Sequence, residues 1–301
     1  MINITPSISA INYHKEKVTE IFNNIISTKY ISRGNPQTKI YLPNCFLNFL
    51  VDNFNEIIGA SPNELLMINN RFNDLNISTY DLVNIKSFFI DTAYKKFQNK
   101  YGKEFLNKLS IDTCVYCNRN YTLDLIKDRA RAELDHWFPK ENYYLLALSF
   151  FNLIPSCHSC NHIKHNNSPQ GGWENAIRNI NHPYLADTNE KFTFDYILTN
   201  IGSPKTTVKY NNHQEKIKNT LEFNKIKEIY DAHSDRELKD LYNLRYNYSN
   251  NYLEILIKNF KVLSSKHEAY RILFGIELEE KDYHKRPFSK FKNDIINKLL
   301  E

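Results

Sequence analysis

The chain has 301 residues, with 7 glycines, 10 prolines and 5 cysteines, a formal net charge of +5 and a mean hydropathy of −0.55. At the usual ~7% glycine about 21 would be expected, and none of the seven present forms a GxGxxG or GxxxxGK[ST] pattern, which excludes a Rossmann fingerprint and a P-loop. So little glycine favours helices over a many-stranded sandwich, while the modest positive charge permits a polyanionic partner without demanding one.

Residues 1–110 read as a helical region. The N-terminal segment has no apolar core of a signal peptide. Ile11 to Ile26 and Cys45 to Ile58 carry apolar residues at helical spacing, with Cys45 expected as an inert buried thiol. Ser61-Pro62-Asn63-Glu64 has the pattern of a helix start, with serine as cap and glutamate completing a capping box. A long amphipathic run follows from Thr79 to Leu109.

Residues 111–183 differ in character. Cys114-Val-Tyr-Cys117 and Cys157-His-Ser-Cys160 are two CxxC knuckles with 39 residues between them. Two such turns supply the four thiolates of a tetrahedral zinc site, whereas a redox CxxC needs one pair in a thioredoxin-like context that is absent here. The spacing exceeds that of a simple zinc ribbon, so the insert is expected to carry function. It contains Glu133-Leu-Asp135-His136-Trp-Phe-Pro139-Lys140, then Asn152; Asn161, Lys164 and His165 follow the last cysteine. The most apolar stretch, Tyr143 to Ile154, is too short to span a membrane, and its Tyr143–Phe151 part, in the linker from His136 to Asn152, reads as a short helix. A cytoplasmic protein without a membrane partner is expected.

The ordered set Asp135-His136, Asn152 and Asn161, bracketed by CxxC pairs, resembles the HNH endonucleases of the His-Me-finger (ββα-metal) group. The resemblance covers about 114–165. It implies an α+β, mainly helical protein with a ββα-metal core and zinc knuckles embedded between helical regions. It implies hydrolysis of DNA phosphodiesters to 5′-phosphate and 3′-hydroxyl ends, with RNA left open as a substrate. His136 matches the general base, and Asp135 and Asn161 match the ligands of a catalytic Mg²⁺ or Mn²⁺ distinct from the structural zinc. Asn152 matches the residue that holds the loop and orients the base. His165 stands one helical turn after Asn161 and is a further candidate ligand; Lys164 and Glu133 are candidate contacts to a phosphate and to a metal-bound water. More particularly, Asp-His-x-x-Pro-Lys followed by Asn-Leu-x-x-Ser-Cys-x-x-Cys-Asn is similar to bacterial anti-phage HNH effectors of Septu-type and retron-associated modules. Those often work beside an ATPase or sensor subunit, and two-strand cleavage by one site favours a homo-oligomer, as a dimer, or two sequential nicks. The readings of other classes are a non-catalytic zinc-ribbon module that binds nucleic acid and an adaptor whose zinc module supports the flanking helices.

Residues 184–301 begin with a predicted hairpin, Lys191–Tyr196 and Thr206–Tyr210 around a Gly202-Ser203-Pro204 break. Helix returns after His213, including an apolar face at Tyr252, Ile255, Leu256, Phe260 and Leu263. The basic stretch 281–301 reads as a solvated helix face, with contact to nucleic acid as the sharper alternative.

Overall fold

A computed structural model of the chain describes residues 1–123, 133–165, 167–185, 191–200, 202–211, 213–247, 255 and 271–300. The fold is α+β and mainly helical, with three two-stranded sheets among the described residues. The chain divides into two compact units. One comprises Met1–Ile4, Ile111–Leu123 and Ser156–Glu301; the other comprises Thr5–Ser110 and Asp124–Pro155. The segment 111–183 therefore contributes to both.

In the second unit, α1 (Ile8–Thr28) opens on Ser7, whose hydroxyl accepts from the Ala10 amide at 3.0 Å, and closes on Lys29 at φ 62°. Its buried stripe is Ala10, His14, Val18, Ile21, Phe22 and Ile25. A hairpin that the sequence pattern did not reveal follows, β1 (Tyr30–Arg33) and β2 (Thr38–Tyr41), paired with Ile31 opposite Ile40. The apolar run from Cys45 splits into α2 (Asn44–Asp52) and α3 (Phe54–Gly59). Cys45 corrects its expectation: it is exposed, because the buried face of α2 begins one residue later with Phe46 and Leu47.

At the predicted capping box the Glu64 carboxylate accepts from the Ser61 amide and hydroxyl at 2.9 and 2.7 Å, but regular helix α4 (Leu65–Asn73) starts only after it. The long amphipathic run becomes α5 (Thr79–Ser87), a π-helical segment (Phe88–Tyr94), α6 (Lys95–Lys100) and α7 (Gly102–Leu109). The wider π turn lets the neighbours Phe88 and Phe89 both face the core, where Phe22 and Phe46 meet Phe89 edge-on at 6.0 Å.

His14 is the exception in this core. It is fully buried, and neither ring nitrogen meets a hydrogen-bond partner among the described residues. Burial lowers its pKa to about 3; the nearby Leu148 carbonyl opposes that shift without reaching hydrogen-bond geometry. Folding therefore holds the neutral imidazole. The contribution is complete above the ordinary value of 6.5 and is lost as the pH falls towards 3. We expect the urea midpoint of the wild type to fall through that window, and the fall to be reduced in His14→Phe measured over the same pH series.

In the first unit the predicted hairpin forms as β5 (Phe192–Leu198) and β6 (Pro204–Tyr210), in register from Phe192 opposite Tyr210 to Leu198 opposite Pro204. Helix α8 (His158–Lys164) begins inside the second knuckle and carries Cys160 in its first turn. A short turn α9 (Ala176–Asn179) precedes α10 (Glu215–Phe223), α11 (Ile226–Asp231), α12 (Lys239–Asn247) and α13 (Ser289–Leu300). The core joins Phe192, Phe194, Ile217, Tyr230, Phe291 and Ile295. Helix α13 ties itself to β5 by polar bonds as well: the Asp294 carboxylate accepts from the Phe194 amide at 3.0 Å, and Lys290 Nζ donates to the Phe192 carbonyl at 2.8 Å.

In the basic stretch, Lys281, Lys285, Arg286, Lys290 and Lys292 pair with Glu279, Asp282, Glu277, Asp294 and Glu237. That charge is largely consumed within the fold. Apart from Ile255, which is helical, the predicted apolar face at 252–263 lies outside the described residues.

Candidate metal centre

The first knuckle is a tight hairpin. The Cys114 amide donates to the Asn120 carbonyl at 2.9 Å, the Asn118 amide returns to the Cys114 carbonyl at 2.7 Å, and Thr113 bridges Tyr121. Asn118 sits at φ 51°, a left-handed conformation that asparagine tolerates well. The second knuckle runs from the end of β4 (Leu153–Ser156) into α8, where the Asn161 amide bonds the Cys157 carbonyl at 3.0 Å.

The four sulfurs lie within 4.8 Å of one another and all four cysteines are buried. Cys117 Sγ and Cys157 Sγ are 3.9 Å apart. Tetrahedral zinc with Zn–S near 2.3 Å requires sulfurs about 3.8 Å apart, so the spacing fits. The electrostatics fit as well. Hydrogen bonding from Cys114 and Cys160 pulls Cys117 down to about 7, the three other thiols pull Cys157 down strongly, and the Cys114 contact leads those that push Cys160 up. Burial pushes Cys114 up. Thiols this close cannot all ionise without a countercharge, and a divalent cation supplies it. The four cysteines can hold a zinc ion. Among the described residues no second cluster of three or more histidine, cysteine or carboxylate ligands occurs.

Residues without a role in the sequence reading brace this centre. The Asn118 side-chain amide donates to Thr113 Oγ1 at 2.9 Å and to the Tyr283 carbonyl at 2.8 Å, and its Oδ1 accepts from the Lys290 amide at 3.2 Å. Tyr230 Oη donates to the Cys117 carbonyl at 2.6 Å. Arg119 gives its amide to Cys117 Sγ at 3.4 Å and its Nη1 to His233 Nε2 at 2.8 Å. A guanidinium only donates, so His233 accepts as a neutral ring; burial and the Arg119 charge both lower its pKa.

The second unit carries Asp135, His136 and Asn152. Strand β3 (Glu133–His136) ends at the histidine, both Asp135 and His136 are buried, and β3 pairs with β4. The Ala147 carbonyl lies 3.1 Å from His136 Nε2. A carbonyl only accepts, so the ring proton belongs on Nε2 and Nδ1 is the basic nitrogen. Tyr94 meets the imidazole edge-on at 4.5 Å and donates to the Leu134 carbonyl at 3.3 Å. Burial, then the Asp135 charge, raises the Tyr94 pKa and keeps it a phenol. Lys140 Nζ lies 4.6 Å over the same ring, its own pKa lowered by burial. Tyr94 thus contacts both His136 and Lys140, a role that no local pattern announces.

Between β3 and β4 the chain makes two short 3-10 turns, Tyr144–Leu148 and Phe150–Asn152, where the sequence reading expected a short helix. Asn152 is completely buried. Its Oδ1 accepts from the Phe138 amide at 2.7 Å, and its Nδ2 donates to the carbonyls of Phe138 and Leu146 at 3.1 and 3.0 Å. One amide closes the loop at both ends. Asn152→Ala orphans three buried backbone groups and is expected to destabilise this unit by about 2–4 kcal/mol, read as a shift in its urea unfolding transition.

The remaining candidates are placed as follows. Glu133 is half-buried at the start of β3. Asn161 and His165 stand one turn apart, the His165 amide bonding the Asn161 carbonyl at 2.8 Å. His165 is the residue after α8, at φ 36° and ψ −127°. Lys164 is buried with its Nζ 5.2 Å from the Trp173 ring. These last three belong to the first unit, Glu133 to the second.

No family model matches the chain, and no solved structure matches it. Among curated proteins, the Septu protein PtuB of Bacillus thuringiensis is 32% identical over 73 residues, 24% of this chain and 27% of that protein. The chain thus matches about a quarter of the length of this relative. No helix among the described residues is long and apolar enough to cross a membrane. What the comparisons and the geometry establish is a distant similarity to a Septu protein and a four-cysteine centre that can hold zinc.

Proposed function

We propose that the protein is a metal-dependent endonuclease of the HNH type that hydrolyses DNA and acts in defence against phage. The observation that carries this reading is the pair Asp135-His136 at the end of β3, with Asn152 clamping the loop that returns to β4. The order strand, loop, strand, helix over β3, β4 and α8 is the order expected of a ββα-metal core. The similarity to a Septu protein supports the defence setting.

His136 Nδ1 takes the proton of the attacking water, and the Ala147 carbonyl and the Tyr94 edge orient the ring. The Asp135 carboxylate is a hard oxygen donor suited to Mg²⁺ or Mn²⁺, which when bound supplies charge to the scissile phosphate. The assignment of Asn161 and His165 to that ion rests on sequence order alone. The zinc of the four-cysteine centre is structural. The lack of a P-loop means that any ATP dependence comes from a partner subunit.

The test is incubation of supercoiled plasmid with the purified protein and Mg²⁺ or Mn²⁺, alone and with the product of the neighbouring gene. Nicked or linear DNA is the expected result. Salt-sensitive binding without cleavage under any divalent ion would replace this reading with a non-catalytic zinc module.

A further inference from the structure

The surface beside His136 in the second unit carries more positive charge than its own carboxylates balance. Lys86 and Lys95 are paired, with Glu141 at 3.1 Å and Asp91 at 3.0 Å. Lys140 and Arg33 stand near the same acids, yet neither makes an ion pair or a hydrogen bond among the described residues. The hydrogen bond from Lys95 holds the Asp91 carboxyl below its ordinary value, and the Arg33 charge adds to that. Burial lowers the Lys140 pKa, and the charges of Glu141, Lys95, Asp91 and Asp135 all reach its ammonium. Asp135 itself is buried at the end of β3, where it is the candidate ligand of the divalent ion. Lys140 is half-buried in the loop after β3, with its Nζ 4.6 Å from the centre of the Tyr94 ring. The same ring meets the His136 imidazole at 4.5 Å, and its hydroxyl is tied to the Leu134 carbonyl. One anchored ring therefore touches both the ammonium and the imidazole. A ring face attracts a cation but accepts no conventional hydrogen bond, so the donors of Lys140 still lack an anion. Arg33 closes β1 at an exposed position. From Ile21 to Val51 the chain has no carboxylate, although it holds 34 acidic residues in all, so nothing local answers that guanidinium.

We propose that Lys140 and Arg33 hold the backbone of duplex DNA at the candidate active site, Lys140 on the phosphate beside His136 and Arg33 on a phosphate further along the strand. The assignment rests on the nuclease reading above and names the surface that reading needs. Two unmatched cations near one carboxylate, Asp91, suit a polyanion better than a single small anion, which would satisfy only one of them. A duplex presents a phosphate every ~3.4 Å of rise along each strand, so both find partners on the same molecule. A half-buried ammonium without a partner is costly, and a phosphate oxygen removes that cost as the DNA docks. The fork of a guanidinium matches two phosphate oxygens. Asp91 and Tyr94 both belong to the π-helical segment, so the wide turn that serves the core also sets the acid and the ring around which these cations stand.

The experiment measures binding of a fluorescent DNA duplex by the zinc-loaded full chain over a series of salt concentrations, with no added Mg²⁺ or Mn²⁺ so that cleavage does not enter. Each phosphate contact removed lowers the slope of log K against log salt by about one. Lys140→Gln and Arg33→Gln are each expected to lower it by that amount, and the double variant by about two, with affinity near physiological salt down about ten-fold. Lys140→Arg should keep the slope. Lys227→Gln with Lys239→Gln, at two exposed positions of the first unit, removes the same charge and should also keep it. A lysine that only packs on Tyr94 would move the melting temperature and leave the slope alone. Arg33→Gln, at an exposed position, decides the matter if Lys140→Gln does not fold. Unchanged slopes in the variants, with a wild type that binds DNA, overturn this proposal and leave the nuclease reading standing. Lost slope, with no cleavage by the wild type under any divalent ion, keeps the surface and removes the nuclease. A wild type that does not bind DNA overturns both.

Discussion

Cys160→Ser is expected to abolish stoichiometric zinc binding and to unfold the unit built on the knuckles. Structural zinc contributes roughly 10–16 kcal/mol of apparent binding energy, comparable with or above the roughly 5–15 kcal/mol net stability of a whole domain. The loss cannot be absorbed. Its first effects should appear at the contacts that grip the knuckle: Tyr230 on the Cys117 carbonyl, and Asn118 on Thr113, Tyr283 and Lys290. Metal analysis and circular dichroism melting check this, with Cys45→Ser as the control that keeps both zinc and fold because its thiol is exposed and is not one of the four in the cluster. Full zinc content in Cys160→Ser would remove the quartet from its assigned role.

The second large effect belongs to His136. If its Nδ1 activates water, His136→Ala should slow single-turnover DNA cleavage by about 10²–10⁴, the usual worth of a positioned base. The fold should survive, because β3 still ends there and the loop is held by Asn152 rather than by the imidazole. Added imidazole should restore part of the rate in the alanine variant, a response that a purely structural role would not give. Equal rates for wild type and variant would sink the assignment.

The parts of the molecule legible in the sequence are those written in short-range patterns. Two CxxC turns announced the quartet, and Gly202-Ser203-Pro204 between alternating segments announced the β5–β6 hairpin. The hairpin β1–β2 left no such mark, since four-residue strands are too short for their alternation to stand out from the surrounding helical pattern. Phe88-Phe89 read as one more turn of α-helix, because the shift to π spacing is a response to packing. The bracing residues were invisible for a different reason: Asn118 meets Tyr283 across 165 residues of chain, and Tyr94 reaches Leu134 across 40. Nothing near Asn118 or Tyr94 in sequence encodes those meetings. The chain also crosses from one unit to the other and back inside the segment that reads as a single module.

That crossing gives the knuckles a mechanical role. The insert between Cys117 and Cys157 leaves from and returns to sulfurs only 3.9 Å apart. With a metal seated there, the chain is clasped at the neck of the excursion. A backbone nick between the two knuckles would leave two fragments held by the four sulfur–metal bonds as well as by contacts such as Tyr230 on the Cys117 carbonyl and Asn118 on Tyr283, so a chelator would weaken their association. The same clasp holds the ends of the excursion at close range. The entropy of closing a long loop is then met by coordination chemistry, so the inserted segment need not secure its own ends.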